Sequence, residues 1–290
     1  MFPSSCKFIL GTGLSGSGKS IALNALEDAG YNCIDNLPVG LLATLVEDLA
    51  SRPPEKRQDT AVGIDARGLD AELNRVPTLL KTLQAQDIGG EILFLDADSP
   101  TLIRRFSETR RRHPLTRQQQ DLEAAITQER TLLAPLQDHA QLQIDTSQTT
   151  PHELRHMVCD RVAGRATGQL SLLLQSFGFK QGAPRNADFV FDVRCLPNPY
   201  WQAELRPLNG LDPAVIAFLQ SQENVMLMQQ QIRDFIQHWL PFFEKEGRSY
   251  VTIAIGCTGG QHRSVYLVEG LRQHFAAQDW QVLGSHRELA

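Results

Sequence analysis

Residues 13–20 constrain the fold more than any other stretch of the chain. Gly13, Leu14, Ser15, Gly16, Ser17, Gly18, Lys19 and Ser20 satisfy G-x-x-x-x-G-K-[ST] at every fixed position. The motif has meaning only between a strand and a helix. Here an apolar run at 8–10 precedes it and a helix-patterned stretch at 20–29 follows. Glycines let the backbone amides fold into a nest around phosphate oxygens, and the helix start adds partial positive charge. Lys19 is placed to neutralise the terminal phosphates, and the Ser20 hydroxyl to ligate Mg²⁺.

The pattern around this loop is repeated. Short apolar runs at 31–34, 61–64, 92–95 and 142–144 alternate with helix-patterned stretches at 39–50, 69–83, 101–112 and 122–136. Alternating strands and helices predict an α/β fold with a parallel sheet covered on both faces. A closing helix at 152–162 follows Thr150 and Pro151, and the small, polar stretch 163–169 reads as a linker. A second α/β domain then begins, with strands at 172–174, 189–191 and 250–255 and helices at 213–220, 225–243 and 264–276. The expected division is 1–163, a P-loop kinase-like domain, and 164–290.

Composition narrows the function classes. The 290 residues carry a formal net charge of -5, with 42% hydrophobic and 21% charged residues, the profile of an ordinary globular chain. An acidic balance argues against a general nucleic-acid coat protein. The apolar run near the start is too short for a secretory signal, and none spans a bilayer. Five scattered cysteines without C-x-x-C exclude a disulfide framework and a cysteine zinc site. The reading is a reduced, cytoplasmic protein.

A strand ending in Asp is the usual second metal-organising element of a P-loop site. Asp65 and Asp96 both qualify, either as catalytic carboxylates or as caps of the helices that follow; Asp35 is a third candidate. Behind Asp96 comes a basic run, Arg104, Arg105, Arg110, Arg111, Arg112 and Arg117, opposed only by Glu108. In small P-loop kinases a lid in this place clamps phosphates with arginines. His152-Glu153-Leu154-Arg155-His156 spells H-E-x-x-H, the zinc-protease pattern. It is rejected because it lies in the closing helix with Arg155 between the ligands and no third ligand nearby.

A second anion cradle ends the strand at 250–255. Cys257, Thr258, Gly259, Gly260, Gln261, His262, Arg263 and Ser264 form a Gly-rich turn that opens a helix. The run also matches C-x₅-R-[ST], in which a thiolate attacks phosphorus. Phosphate binding without covalent catalysis is the preferred reading, with His262 and Arg263 on the phosphate. Lys180, Asp192 and Arg194 would complete a polar pocket.

Taken together these segments resemble the RapZ/YvcJ family of bacterial P-loop nucleotide-binding proteins. The resemblance is carried by residues 13–20, Asp-Asn-Leu-Pro at 35–38, Leu-Phe-Leu-Asp-Ala-Asp at 93–98, Gln-Ser-Phe-Gly-Phe-Lys at 175–180, Leu-Pro-Asn-Pro at 196–199 and Gly-Cys-Thr-Gly-Gly-Gln-His-Arg-Ser-Val at 256–265. It implies ATP bound at residues 13–20 with Mg²⁺ on Ser20, GTP bound at Asp65, Ala66, Arg67 and Gly68, and slow hydrolysis of both. It further implies a C-terminal sensor of glucosamine-6-phosphate, a small RNA and an endoribonuclease as partners, and a homo-oligomer. Enterobacterial members end in a Lys/Arg-rich tail. In this chain residues 261–290 hold three arginines and three acids, a local formal charge of zero, which argues against RNA contact there. The leading expectation is a weak, regulatory ATPase/GTPase. A small-molecule kinase and an RNA-binding adapter with vestigial nucleotide chemistry are the rivals.

Overall fold

The computed structural model describes residues 6–64, 76–109, 112–116, 121–164, 169–278 and 280–289. The chain divides into two compact units, Met1–Thr167 and Gly168–Ala290. Each is a parallel-sheet α/β unit.

In the first unit β1 (Lys7–Gly13) is buried along its whole length, as a strand covered on both faces must be. It pairs with β3 (Thr60–Gly63) on one side and β4 (Gly89–Asp96) on the other. β2 (Asn32–Ile34) and β5 (Leu142–Asp145) complete the parallel order β2-β3-β1-β4-β5. With the loop of residues 13–20 leaving the central first strand, this is a P-loop kinase-like sheet. The helices α1 (Lys19–Asp28), α2 (Val39–Ser51), α3 (Val76–Gln84), α4 (Ser99–Thr109) and α5 (Leu122–Asp138) lie between the strands, and α6 (Pro151–Val158) follows the last of them. The buried residues of α2, Val39, Leu42, Val46 and Leu49, follow helical spacing and pack into the sheet's core.

The start of α6 is set by sequence. Thr150 and Glu153 form a reciprocal capping box, with Pro151 in the first turn where no amide is needed. The helix widens into a π turn at Cys159–Ala163. There the buried Lys7 ammonium donates to the Val162 carbonyl at 2.9 Å, tying the first strand to the last turn of the unit.

The second unit has the parallel order β7-β8-β6-β9. Its strands are β6 (Ser171–Gly178), β7 (Phe189–Asp192), β8 (Tyr250–Cys257) and β9 (Gln281–His286). β8 is buried throughout and β6 nearly so, which makes them the central pair. α7 (Pro213–Gln220), α8 (Glu223–Lys245) and α9 (Arg263–Ala276) cover the sheet. The sequence reading omits β9; the remaining strands and helices of this unit lie where the patterning puts them. Among the described residues no helix is long and apolar enough to cross a membrane.

Candidate functional site

The loop after β1 turns on residues that only glycine suits. Gly13 has φ +138°, and a Cβ there would overlap the Leu95 carbonyl. Gly16 and Gly18 also lie at positive φ, +86° and +105°. Leu14 is fully buried and its amide donates to Leu95 O at 3.1 Å, so it anchors the loop instead of facing outward. Ser15, Gly16, Ser17, Gly18, Lys19 and Ser20 line an open cavity of about 1020 Å³. Lys19, Ser20 and Ile21, the first residues of α1, lie at its wall, and the first amides of a helix have no partner within it.

Basic groups dominate the cavity wall. Lys19, Arg104, Arg105 and Arg112 line it, against Glu108 as the carboxylate among its described residues, a net formal charge of +3. The Lys19 ammonium donates to Gly13 O at 2.7 Å and Leu14 O at 3.2 Å, which holds it over the loop. Arg105 donates to Gly16 O and Thr146 Oγ1, both at 3.0 Å, and to Thr146 O at 2.6 Å. The Thr146 hydroxyl in turn donates to Ser17 O at 2.9 Å. The loop is thus braced from the end of β5 and from α4. Arg104 and Arg112 are exposed at the wall.

Asp96 is placed differently. Its carboxylate takes both contacts from one Arg130 nitrogen, at 2.8 and 2.9 Å, and accepts the Ala97 amide. It does not line the cavity. Asp65, Ala66, Arg67 and Gly68, with Arg110, Arg111 and Arg117, fall outside the described residues. His152 and His156 are exposed on α6, and Glu153 between them is engaged in the capping box.

Beneath the loop lies a residue that the motif does not announce. Glu129 of α5 is fully buried. It accepts the Ser15 amide at 2.9 Å, the Ser15 hydroxyl at 2.7 Å and His113 Nε2 at 3.0 Å. The Leu115 amide donates to His113 Nδ1 at 3.2 Å, which leaves Nε2 as the nitrogen that carries the proton toward Glu129. Burial pushes the Glu129 carboxyl up, but hydrogen bonds from His113 and Ser15 and the Lys19 charge outweigh it and hold it below the usual range.

In the second unit the expected residues do converge. Strand register sets Gly178 beside Cys257 and Asp192 beside Gly256, so the ends of β6, β7 and β8 share one edge. The Lys180 amide donates to Thr258 O at 3.2 Å, while Lys180 itself is exposed. Asp192 and Arg194 form an exposed ion pair at 2.7 Å, and Arg194 stacks on Phe179 with 4.1 Å to the ring centroid. Arg194 holds the Asp192 carboxyl below its ordinary value.

The loop itself is braced from inside. Arg263 is buried and donates to Arg194 O at 2.8 Å, Leu196 O at 2.9 Å and Thr258 Oγ1 at 3.2 Å. His262 is buried against Leu205 O at 3.2 Å. Both side chains therefore serve carbonyls of neighbouring loops. Cys257 Sγ lies 3.2 Å from Ser264 Oγ and accepts the Gly260 amide at 3.2 Å. Burial pushes this thiol up, but the Ser264 and Gly260 hydrogen bonds and the Arg263 charge prevail and lower it. Gly259 and Gly260 form the turn, the latter at φ +76°. A Cβ at Gly260 would strike the Glu288 carboxylate, whose buried position raises it above the ordinary range.

Sequence reasoning misses Glu129, His113, Thr146 and Glu288. One signal was present: Ala125, Ile126, Glu129, Leu133 and Leu136 form the buried stripe of α5, so Glu129 sits where the helical period calls for an apolar residue.

The family description "RapZ-like N-terminal domain" matches residues 6–166, and "RapZ C-terminal domain" matches 170–290. A protein of Nitrosococcus oceani called "Nucleotide-binding protein" is 52% identical over 279 residues, 96% of this chain and 98% of its own length. One of Thioalkalivibrio sulfidiphilus with a like name is 51% identical over 285 residues, 98% of this chain and all of its own. Among solved structures, shikimate kinase from Acinetobacter baumannii is similar to 56% of this chain and 95% of its own, at 17% identity and a TM-score of 0.39. A gluconokinase from Sinorhizobium meliloti is similar to 54% of this chain and 90% of its own, at 20% identity and a TM-score of 0.37. Matched in both halves and along nearly its full length, the chain belongs to the RapZ family.

Proposed function

We propose that the chain is a regulatory nucleotide-binding protein that binds MgATP or MgGTP at residues 13–20 and hydrolyses it slowly. The observation that carries this reading is the basic cavity that residues 15–20 of the loop line together with Arg104, Arg105 and Arg112. The donor set suits a triphosphate: backbone N–H groups at a helix start, an ammonium and planar guanidinium groups. Bound Mg²⁺ would neutralise and orient the phosphates. Ser20, exposed at the wall, supplies a hydroxyl for it. Lys19 binds and orients the terminal phosphates, and Arg105 keeps the loop in shape from its carbonyl side. Two of the nearby carboxylates are already engaged: Asp96 is held by Arg130, and Glu129 by Ser15 and His113. Neither is free to take a proton from an attacking water. The relatives' name, nucleotide-binding protein, points the same way.

For the second unit the proposal is a sensor of a phosphorylated amino sugar such as glucosamine-6-phosphate, held by the 257–264 loop with Lys180, Asp192 and Arg194. The support is their shared sheet edge. A role as adapter between a small RNA and an endoribonuclease, as a homo-oligomer, follows from the family resemblance alone.

Lys19→Ala tests the first unit. Removing a charge-assisted phosphate contact should weaken MgATP and MgGTP binding at least tenfold and abolish turnover. The protein should still fold and melt cooperatively, with only a modest loss of stability from the Gly13 and Leu14 carbonyls that Lys19 serves. Calorimetric affinity equal to the parent protein would remove this loop as the site.

A further inference from the structure

Glu129 connects two parts of the proposed nucleotide site that are distant in sequence. On one side its carboxylate holds Ser15, the first loop residue lining the cavity, by amide and hydroxyl. On the other it holds His113, which is 3% exposed within a stretch whose preceding residue, Arg112, is exposed at the cavity wall. His113 is fixed further by the Leu115 amide on Nδ1, the Thr116 hydroxyl on its carbonyl and the Phe106 ring 5.2 Å away. The next residue of α5, Arg130, grips Asp96 and the Ala97 carbonyl at the end of β4. The helix is therefore pinned to the sheet beside the carboxylate.

A fully buried carboxylate loses heavily when any of its donors leaves, since nothing replaces the lost hydrogen bond. Ser15 and His113 share one such group. Displacing either leaves Glu129 under-satisfied, so the two cannot shift independently at low cost.

We infer that Glu129 is a positioning residue that couples the phosphate loop to the arginine-bearing segment, so that the loop's shape and the placement of Arg112 are set together. The inference rests on the nucleotide-binding reading and names a device within it. Glu129 itself does not touch the ligand; it withdraws the Ser15 amide from the cradle and fixes where Arg112 begins.

A double-mutant cycle on the full chain, with MgATP affinity read by calorimetry, tests it. Glu129→Gln keeps the shape but places an NH₂ group opposite one of the donors. Alone, Glu129→Gln and Arg112→Ala should each weaken MgATP binding about tenfold. Together they should cost little more than either one, because Arg112 is already misplaced when Glu129 is altered. Penalties that multiply to about a hundredfold would overturn the coupling and leave Glu129 a structural residue only. An Arg112→Ala protein that binds MgATP as tightly as the parent would overturn it as well. His113→Leu, which cuts the same link from the other side, gives a second cycle with the same expectation where Glu129→Gln does not fold. A parent protein that binds neither MgATP nor MgGTP would overturn the nucleotide reading itself and this coupling with it. That result differs from a parent that binds normally and shows no coupling.

Discussion

A buried guanidinium whose nitrogens serve carbonyls cannot be treated as a free phosphate clamp. Arg263 stands in the loop position where the sequence suggests ligand contact, yet its partners are Arg194 O, Leu196 O and Thr258 Oγ1. Arg263→Ala should therefore destabilise the second unit by about 3 kcal/mol, since it leaves two carbonyls without donors. A urea-unfolding midpoint equal to the parent's would show that water replaces the guanidinium. Glu129 gives a prediction of its own. Its folded carboxyl titrates below the ordinary 4.5, so on acidification the unfolded chain takes up this proton first. The stabilisation is complete above about pH 4.5 and is lost as pH falls through the lower, folded value. In acid titrations followed by circular dichroism, Glu129→Gln should show a shallower loss of stability in that window. Equal slopes would mean that the carboxylate's donors do not persist in solution.

Among the elements, those with strong periodicity or a fixed motif were legible. The strand–loop–helix at 7–28 follows from the glycines and Lys19, and α6 from Thr150, Pro151 and Glu153. β9 was not legible, because an edge strand whose residues are half-buried lacks both the alternation and the continuous apolar run that mark strands. The site was legible where the backbone makes it and obscure where long-range contacts do. Glycines at positive φ declare themselves in sequence. That Asp96 would be taken by Arg130, 34 residues on, does not. Likewise the basic run reads as one cluster, while the structure assigns Arg105 to brace the loop and Arg104 and Arg112 to the wall. Charge alone could not sort them, because the difference lies in which carbonyls each arginine meets.

At the scale of the molecule, two hydrophobic cores divide the chain. One runs from Phe8 to Leu136 and the other from Leu170 to Phe275, with no residue in common. Each sheet is complete within its own unit. A fragment spanning 169–290 should thus unfold cooperatively by itself, as a thermal melt would show; a featureless melt would mean that its core depends on the rest of the chain. The contact between Lys7 and Val162 has one more consequence. It brings Lys7 of the first strand and Val162 of the last described turn to a single spot, so the polypeptide between them makes a closed circuit. A circuit of this kind can be opened elsewhere and joined at that spot by a short linker, or spliced into a surface loop of another protein, without stretching either partner.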